Sequence, residues 1–115
     1  MAPVLKVGNL EARRDLTDVR DTVRAYHALM KQGTPGRAYN VCSGRAWAIG
    51  EVLELLVAQS RARVTVESEP GLLRPSDASL SLGSNERICR ETGWAPSIPM
   101  TQTINDILDS ARRRA

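Results

Sequence analysis

The sequence predicts a small mixed α/β fold of about three short strands and four helices, in one domain spanning residues 1–115. Short apolar runs with β-branched residues alternate with stretches in which apolar residues recur every three or four positions. Glycine and proline mark each change of pattern. A compact chain of this length has a radius of gyration of about 13 Å. The first predicted strand is VLKV at 4–7, closed by Gly8.

A helix is expected to begin near Val19, because Thr17 or Asp18 can accept hydrogen bonds from its first free N–H groups. Asp18 and Asp21 are interpreted as acids of the first turn, where negative charge is favoured. Gly33 is expected to end this helix. Apolar residues recur at helical spacing on one face: Val19, Val23, Tyr26 and Met30.

The middle of the chain predicts two more strands around one helix. The stretch RAYNVCSG at 37–44 alternates like a strand, and the following AWAI either extends it or forms a small partner strand. The pattern at 49–60 is helical, and RVTVESE at 63–69 predicts the third strand. The predicted order is therefore strand, helix, strand, helix, strand up to residue 69.

The last third of the chain predicts a loop followed by two helices. Prolines and glycine make 70–84 irregular, and 84–94 predicts a short helix. The final helix is expected from about 101 to 114, capped by Thr101 or Thr103. Its apolar face comprises Ile104, Ile107, Leu108 and Ala111. Because the predicted sheet is small and its first strand uncovered, we expect the unit to need a partner surface.

Composition and charge exclude several classes of protein. The net charge of +3 is mild, and it permits anionic partners without requiring them. The basic residues at 112–114 are interpreted as cations at a helix C-terminus rather than a nucleic-acid contact, since no aromatic residues interleave with them. Cys42 and Cys89 are too few and too far apart for a metal site, and His27 has no ligand partner at a useful spacing.

No stretch of the sequence reaches the roughly 18 apolar residues of a membrane span. The N-terminus MAPVLKVGN lacks the apolar region of a signal peptide. We therefore expect a cytoplasmic protein with no membrane partner, whose two cysteines are reduced and partly buried.

The sequence also argues against catalytic residues in this chain. It contains no GxSxG elbow and no evident catalytic triad. Two side chains four residues apart lie on the same face of a helix. Tyr26 and Lys31 are five residues apart, which rotates Lys31 by about another 100° away from that face. The stretch GTPG at 33–36 follows a helix and precedes a strand, so it predicts a turn rather than a phosphate-binding loop.

Two arginines are the candidate ligand-binding residues. Arg14 lies in a predicted loop between a strand and a helix, and Arg74 lies in a second loop. Two guanidinium groups on separate loops suit a diphosphate, and Asp77 could accept hydrogen bonds from a ribose. On the residues alone, the favoured alternative is that Arg14 and Arg74 form surface ion pairs with Asp15 and Asp77.

Taken in order, four motifs resemble those of a known family. They are VGNLEARRDLTDVRDTVRAY, GRAYNVCSG, LRPSD and LGSNERICRETGWAPSIPMTQTINDIL. They resemble the C-terminal portion of the extended short-chain dehydrogenase/reductases that modify nucleotide sugars. Within this group the resemblance is to GDP-mannose 4,6-dehydratases and GDP-6-deoxy-lyxo-hexulose (GDP-4-keto-6-deoxymannose) reductases, from about Val4 to Ala111.

The resemblance implies a role for each candidate residue. In the family, the arginines that fall on Arg14 and Arg74 hold the diphosphate of the sugar nucleotide. The acidic residue that falls on Asp77 is near the ribose. The residues at 5–7, including Val7, are similar to those that line the base pocket. These motifs are common to dehydratases and reductases, so they do not separate the two activities.

The chain also departs from the family pattern. Leu16 stands where the family often has Phe, Cys42 where it often has Gly, and GSNER at 83–87 replaces GDxSK. The family's N-terminal Rossmann half has no counterpart in this sequence. That half carries the glycine-rich turn and the catalytic Tyr and Lys, so the resemblance implies that NADP and the catalytic groups belong to it.

The resemblance implies a substrate-binding lobe that grips the diphosphate of a GDP-sugar and is inert alone. Its partner would be the missing Rossmann lobe, in the same chain or another, and the intact enzyme would use NADP. Two alternatives remain. The chain is either a free-standing module that binds a nucleotide or a protein without catalysis, or a decayed gene fragment that forms a homodimer through the exposed lobe interface.

Overall fold

The computed structural model describes residues 3–72 and 80–114. Two of the predicted ligand-binding residues, Arg74 and Asp77, lie outside the described residues. Within these ranges the α/β class is confirmed, with nine main elements: β1 (Val4–Val7), β2 (Arg13–Asp15), α1 (Val19–Gln32), β3 (Ala46–Ala48), α2 (Ile49–Gln59), β4 (Thr65–Ser68), β5 (Leu80–Ser81), α3 (Glu86–Thr92) and α4 (Met100–Arg114).

The strands form two small sheets. In the first, β1 runs parallel to β4, with Val7 opposite Ser68. In the second, β2 is the central strand, antiparallel to β3 and parallel to β5. Arg14 lies opposite Trp47 on one side and Ser81 on the other. Because β2 is hydrogen-bonded along both edges, the position of Arg14 is set by two neighbouring strands.

The predicted strand at 37–44 is wrong, because among the described residues no strand pairs with this segment. Its alternation is retained: Tyr39 and Val41 are half-buried against the core, whereas Ala38 and Asn40 are exposed. A strand needs a hydrogen-bonded neighbour, and a pattern of side chains cannot supply one. The following residues form β3, which pairs with β2 instead of extending the predicted strand.

Two strands were not predicted. Residues 13–15 and 80–81, predicted to lie in loops, form β2 and β5. Both are very short, and β2 consists of three charged residues, so neither has the apolar alternation by which strands are recognised. They are strands because their neighbours in the folded chain offer hydrogen bonds.

The predicted ends of α1 are confirmed. The Asp18 carboxylate caps the first turn, with its Oδ1 accepting a hydrogen bond from the Arg20 N–H at 2.8 Å. At the other end the Gly33 N–H donates to the Leu29 carbonyl at 2.8 Å. Asp18 also forms an ion pair with the Arg20 guanidinium at 2.9 Å. These bonds hold the pKa of the Asp18 carboxyl well below its usual value.

The helix α4 begins one residue earlier than predicted, at Met100. Thr101 and Thr103 therefore lie inside the helix, and the prediction that one of them caps it is wrong. The Thr103 hydroxyl instead donates to Asp18 Oδ2 at 2.7 Å, which joins α4 to the beginning of α1. The three arginines at 112–114 lie in the last turn, as expected.

The molecule is a thin plate with a small core. Its radius of gyration is 17.1 Å and its extents are 56 × 36 × 18 Å, whereas a compact chain of this length would have a radius of about 13 Å. Among residues 3–72 and 80–114 the buried apolar residues are few: Ala12, Ala25, Ile88, Trp94 and Ile104. Stability must therefore come in part from polar contacts between segments.

The apolar face predicted for α1 points into solvent. The exposed fractions are 70% for Val19, 59% for Val23, 57% for Tyr26 and 87% for Met30. The helix instead buries Ala25 and the carboxylate of Asp21 against the rest of the chain. Helical spacing identified an apolar face correctly, but it could not indicate whether that face packs on this chain or on something else.

Asp21 is the principal buried polar residue, with an exposed fraction of 1%. Its carboxylate accepts hydrogen bonds from the Arg24 guanidinium and from the main-chain N–H groups of Ser97 at 3.2 Å and Ile98 at 3.1 Å. Its main-chain oxygen accepts the indole N–H of Trp94 at 3.0 Å. Asp21 thus joins α1 to the segment 94–98, a larger role than that of a first-turn acid.

Burial alone would raise the pKa of the Asp21 carboxyl. The hydrogen bonds from Arg24, Ile98 and Ser97 outweigh burial and hold this pKa below its usual value. The carboxylate is therefore charged at neutral pH and compensated by its donors.

Replacing Asp21 by Ala should lower the free energy of unfolding by about 2–4 kcal/mol, because two main-chain donors and Arg24 lose a buried acceptor. Asp106→Ala is the matched control. Its carboxylate pairs at 2.9 Å with Arg20 and is 38% exposed, so a loss within about 0.5 kcal/mol is expected. Urea unfolding followed by circular dichroism measures both values, and equal losses would contradict the role given to Asp21.

Candidate functional site

Arg14 lies on the central strand β2, so the prediction that it lies in a loop is wrong. It is half-buried, and its side chain is on the same sheet face as those of its cross-strand neighbours Trp47 and Ser81. Its Nη1 donates to the main-chain oxygen of Arg13 at 2.8 Å. Arg13 is exposed, and as the next residue of the strand it points to the opposite face.

Asp15 connects β2 to two other segments. Its Oδ1 accepts hydrogen bonds from the Ser43 N–H at 2.9 Å and the Ser43 hydroxyl at 2.6 Å. Its Oδ2 accepts from the Gly44 N–H at 2.9 Å and the Gly83 N–H at 3.4 Å. Burial would raise the pKa of this carboxyl, but these bonds lower it below the usual value. Asp15 is a structural acceptor for these two turns, beyond the surface ion-pair role considered for it.

The adjacent residues Arg14 and Asp15 thus have different structural roles. Asp15 holds the strand in place from one face, and Arg14 projects from the other. This role of Asp15 is not predicted from the sequence. The signal that could have found it is the SG pair at 43–44, a turn with free N–H groups, although a sequence alone does not show which carboxylate meets them.

The departures from the family pattern at Cys42 and at 83–87 meet in space. A Cβ on Gly83 would lie 2.8 Å from Cys42 Sγ, so a larger residue at this position would require the Cys42 side chain or the backbone to shift. The Asn85 side-chain amide donates to the Cys42 carbonyl at 2.9 Å. The Cys42 side chain therefore lies against Gly83, which the chain shares with the family pattern, and the Cys42 carbonyl is bonded by Asn85, one of the residues that depart from it.

A basic and aromatic pair lies beside Arg14. The Arg45 guanidinium is stacked 3.8 Å from the centroid of the Trp47 ring. A cavity of about 190 Å³ opens next to this pair, between β2, β3 and the beginning of α4, and its lining includes Leu16, Ser43, Arg45, Trp47, Pro99 and Thr103. Ligand pockets usually measure about 300–1,000 Å³, so this cavity is too small to enclose a nucleotide sugar.

Val7 lies at the end of β1, in the other sheet from Arg14. It is half-buried, and its main-chain oxygen accepts the Glu69 N–H at 2.8 Å. The two described site residues are therefore carried by separate sheets. Arg74 and Asp77, predicted to complete the site, lie outside the described residues. The grouping of these residues with Arg14 and Val7 in one binding site therefore stays a prediction.

A glycine-rich turn of the kind that binds a dinucleotide such as NADP is not found among the described residues. Such a group needs a strand that leads through a glycine-rich turn into a helix N-terminus. Within residues 3–72 and 80–114 the glycines with a left-handed backbone are Gly36, Gly44 and Gly93, and none of them lies between a strand and a following helix N-terminus.

Cys42 and Cys89 are free thiols and half-buried, as expected, and burial raises the pKa of the Cys42 thiol. In the part of the chain that the structure describes, no three His, Cys, Asp or Glu side chains gather as a metal-binding group. In the same part, no helix is both long enough and apolar enough to cross a bilayer.

The family model for GDP-mannose 4,6 dehydratase matches residues 1–107. The GDP-6-deoxy-D-mannose reductase of Pseudomonas aeruginosa is 34% identical over 110 residues, a match that covers 96% of this chain and 36% of the reductase. GDP-mannose 4,6 dehydratase 2 of Caenorhabditis elegans is 22% identical, with 92% of this chain and 32% of the relative covered. The chain thus spans about a third of the length of these relatives.

Solved structures agree with this likeness. The structure of RMD from Pseudomonas aeruginosa in complex with NADPH matches with a TM-score of 0.91 and 33% identity, over 100% of this chain and 38% of that one. UDP-glucose 4-epimerase of Thermotoga maritima, solved with UDP-glucose, matches with a TM-score of 0.84 at 20% identity, over 98% of this chain and 35% of that one. At that identity the likeness shows the fold alone. From the match over residues 1–107, the chain belongs to the GDP-mannose 4,6 dehydratase family.

Proposed function

We propose that residues 1–115 form the C-terminal, nucleotide-sugar-binding lobe of a cytoplasmic GDP-mannose 4,6-dehydratase-like enzyme or of a related 4-reductase. In the intact enzyme this lobe would hold a GDP-sugar by its diphosphate and orient it. The observation that carries the proposal is the position of Arg14, half-buried at the centre of a three-stranded sheet and set by strands on both sides.

Arg14 is preorganised for binding, because its strand is fixed before a ligand arrives. A guanidinium group can donate paired hydrogen bonds to a diphosphate, and the entropy lost on binding is smaller when its backbone is already fixed. Asp15 supplies that rigidity through its bonds to Ser43, Gly44 and Gly83. The neighbouring Arg45 guanidinium adds positive charge to the same region.

The rest of the site is proposed from the family likeness. Arg74 would contact the diphosphate with Arg14, Asp77 would accept hydrogen bonds from the ribose, and Val7 would line the base pocket. The lobe supplies grip and orientation, which lower the entropic part of a barrier without making or breaking bonds. NADP and the catalytic acid and base would come from a second lobe, in the same chain or another.

Replacing Arg14 by Ala should weaken binding of GDP and of GDP-mannose by about 10- to 150-fold, the equivalent of about 1.5–3 kcal/mol for a charge-assisted contact. Arg13→Ala is the matched control, because Arg13 has the same charge and lies one residue away on the opposite face. We expect it to change affinity by less than about threefold, the size of a screened surface charge effect. Amide chemical-shift titration measures millimolar as well as micromolar affinities.

Arg14→Lys is expected to fall between these two variants, since it keeps the charge and loses the paired geometry. Equal affinity in wild type and in a folded Arg14→Ala variant would contradict the proposal. Equal losses of GDP affinity for Arg13→Ala and Arg14→Ala would show that Arg14 contributes only general electrostatic attraction.

Replacing Asp15 by Asn should lower both stability and GDP affinity. The amide group puts a donor where the Ser43, Gly44 or Gly83 N–H now donates, so at least one bond is lost, at about 1–3 kcal/mol. Urea unfolding and the same titration, run where both proteins are folded, give the two values. Asp106→Asn is the control, and an Asp15→Asn protein with unchanged affinity would refute the positioning role.

The chain by itself should not turn over substrate. Incubation of the purified protein with GDP-mannose and NADP should produce neither a sugar product nor a change in NADP absorbance. Anion-exchange chromatography of the nucleotide sugars detects conversion directly. Turnover that follows the protein through purification would show that this chain carries catalytic groups, and the proposed division between lobes would be wrong.

A further inference from the structure

Three side chains of the paired strands β2 and β3 lie on one face of their sheet. Arg14 is directly opposite Trp47, and the side chains of directly opposite residues share a face. Arg45 is two residues before Trp47, and its guanidinium lies 3.8 Å from the centroid of the Trp47 ring, so Arg45 is on that face too. Diagonal neighbours of an antiparallel pair are about 7–8 Å apart. The face therefore carries two guanidinium groups beside one indole ring.

The backbone of Arg45 is fixed by the same acid that fixes the strand of Arg14. The Arg45 N–H donates to the Ser43 hydroxyl at 3.1 Å, and this hydroxyl donates to Asp15 Oδ1 at 2.6 Å. Between them, Gly44 has a φ of 77°, a conformation that side chains with a Cβ rarely adopt. Because Asp15 follows Arg14 directly on β2, one hydrogen-bonded joint sets the backbones of both arginines.

The positive charge of Arg45 has no acidic partner among residues 3–72 and 80–114. The ion pairs of these residues engage other arginines: Arg20, Arg24, Arg37, Arg90 and Arg112. Asp18 lines the same small cavity as Arg45, but its carboxylate is already bonded to Arg20 and Thr103. An aromatic ring thus orients the Arg45 guanidinium without neutralising it, which suits an anionic ligand.

We propose that Arg45 is a further diphosphate-binding residue and that Trp47 positions it. Arg14 and Arg45 would each bind one phosphate group of the same nucleoside diphosphate. A guanidinium stacked on a ring keeps the N–H groups of its edge free for paired hydrogen bonds. Stacking also restricts the side chain before binding, so less entropy is lost when the ligand arrives. This inference rests on the proposed function, to which it adds a binding residue and a positioning residue.

Replacing Arg45 by Ala should weaken GDP binding about 5- to 20-fold, the effect of a charge-assisted contact reduced by solvent, since Arg45 is exposed. Inorganic pyrophosphate should lose affinity by the same factor, because the contact is to phosphate and not to the base. Arg61→Ala is the matched control, since Arg61 is also exposed and belongs to none of these ion pairs. It should change either affinity by less than about threefold. Amide chemical-shift titration measures all of these affinities.

Replacing Trp47 by Leu tests the positioning role. The variant keeps an apolar side chain and removes the aromatic face, so GDP affinity should fall about two- to fivefold. In an Arg45→Ala background the same replacement should cause no further loss, because Trp47 acts through Arg45. Trp47→Phe keeps an aromatic ring and should restore most of the affinity. A loss for Trp47→Leu that is the same with and without Arg45 would overturn the positioning role.

The two tryptophans of the chain give an internal comparison that needs no variant. GDP should shift the indole N–H signal of Trp47 and leave that of Trp94 unchanged, because Trp94 is 4% exposed and its indole donates to the Asp21 carbonyl. An unshifted Trp47 signal in the wild-type protein would overturn the inference. So would Arg45→Ala with wild-type affinity, or equal losses for Arg45→Ala and Arg61→Ala.

The Arg14→Ala titration separates this inference from the function on which it rests. GDP affinity that depends on Arg14 and not on Arg45 would overturn only the role of Arg45. Affinity that depends on Arg45 and not on Arg14 would overturn the proposed role of Arg14 and the sharing of one ligand. In that case Arg45 would remain an anion-binding residue.

Discussion

The buried carboxylate of Asp21 is the interaction on which the structure depends most. A thin plate with so few buried apolar residues cannot rely on hydrophobic burial to join its segments. Asp21 joins α1 to the segment 94–98 by accepting side-chain and main-chain donors together. Its neighbour Trp94 adds apolar packing and an indole hydrogen bond at the same place.

Other carboxylates repeat this arrangement. Asp15 joins β2 to the turns at 43–44 and 83, and Glu91 accepts hydrogen bonds from Tyr39, Arg37 and Thr34. Hydrogen bonds lower the pKa of both carboxyls, the largest contribution at Glu91 coming from the Tyr39 hydroxyl. An ionised acceptor with several donors contributes more than a neutral one. Hydrogen bonds to these carboxylates therefore contribute stability that the burial of a larger core contributes in other proteins.

Much of the fold could be predicted because the relevant signals are local. The cap at Asp18, the end of α1 at Gly33 and the end of α3 at Gly93 follow from residue types that satisfy helix ends. The strand pairs could not be predicted equally well. Residues 13–15 carry no strand pattern and form one, whereas 37–44 carry a clear pattern and form none. The hydrogen-bonded neighbours of 13–15, β3 and β5, are distant in sequence, and among the described residues no strand pairs with 37–44.

The family, the helix ends and Arg14 as a candidate ligand-binding residue could be predicted from the sequence, because each depends on residue types at short spacing. Only the folded chain shows that Arg14 lies on a central strand instead of a loop and that Asp15 and Asp21 connect separate segments. It also shows that the apolar face of α1 is exposed. These properties depend on which groups meet across the fold, and a one-dimensional pattern does not specify the partner of a hydrogen bond or the cover of an apolar face.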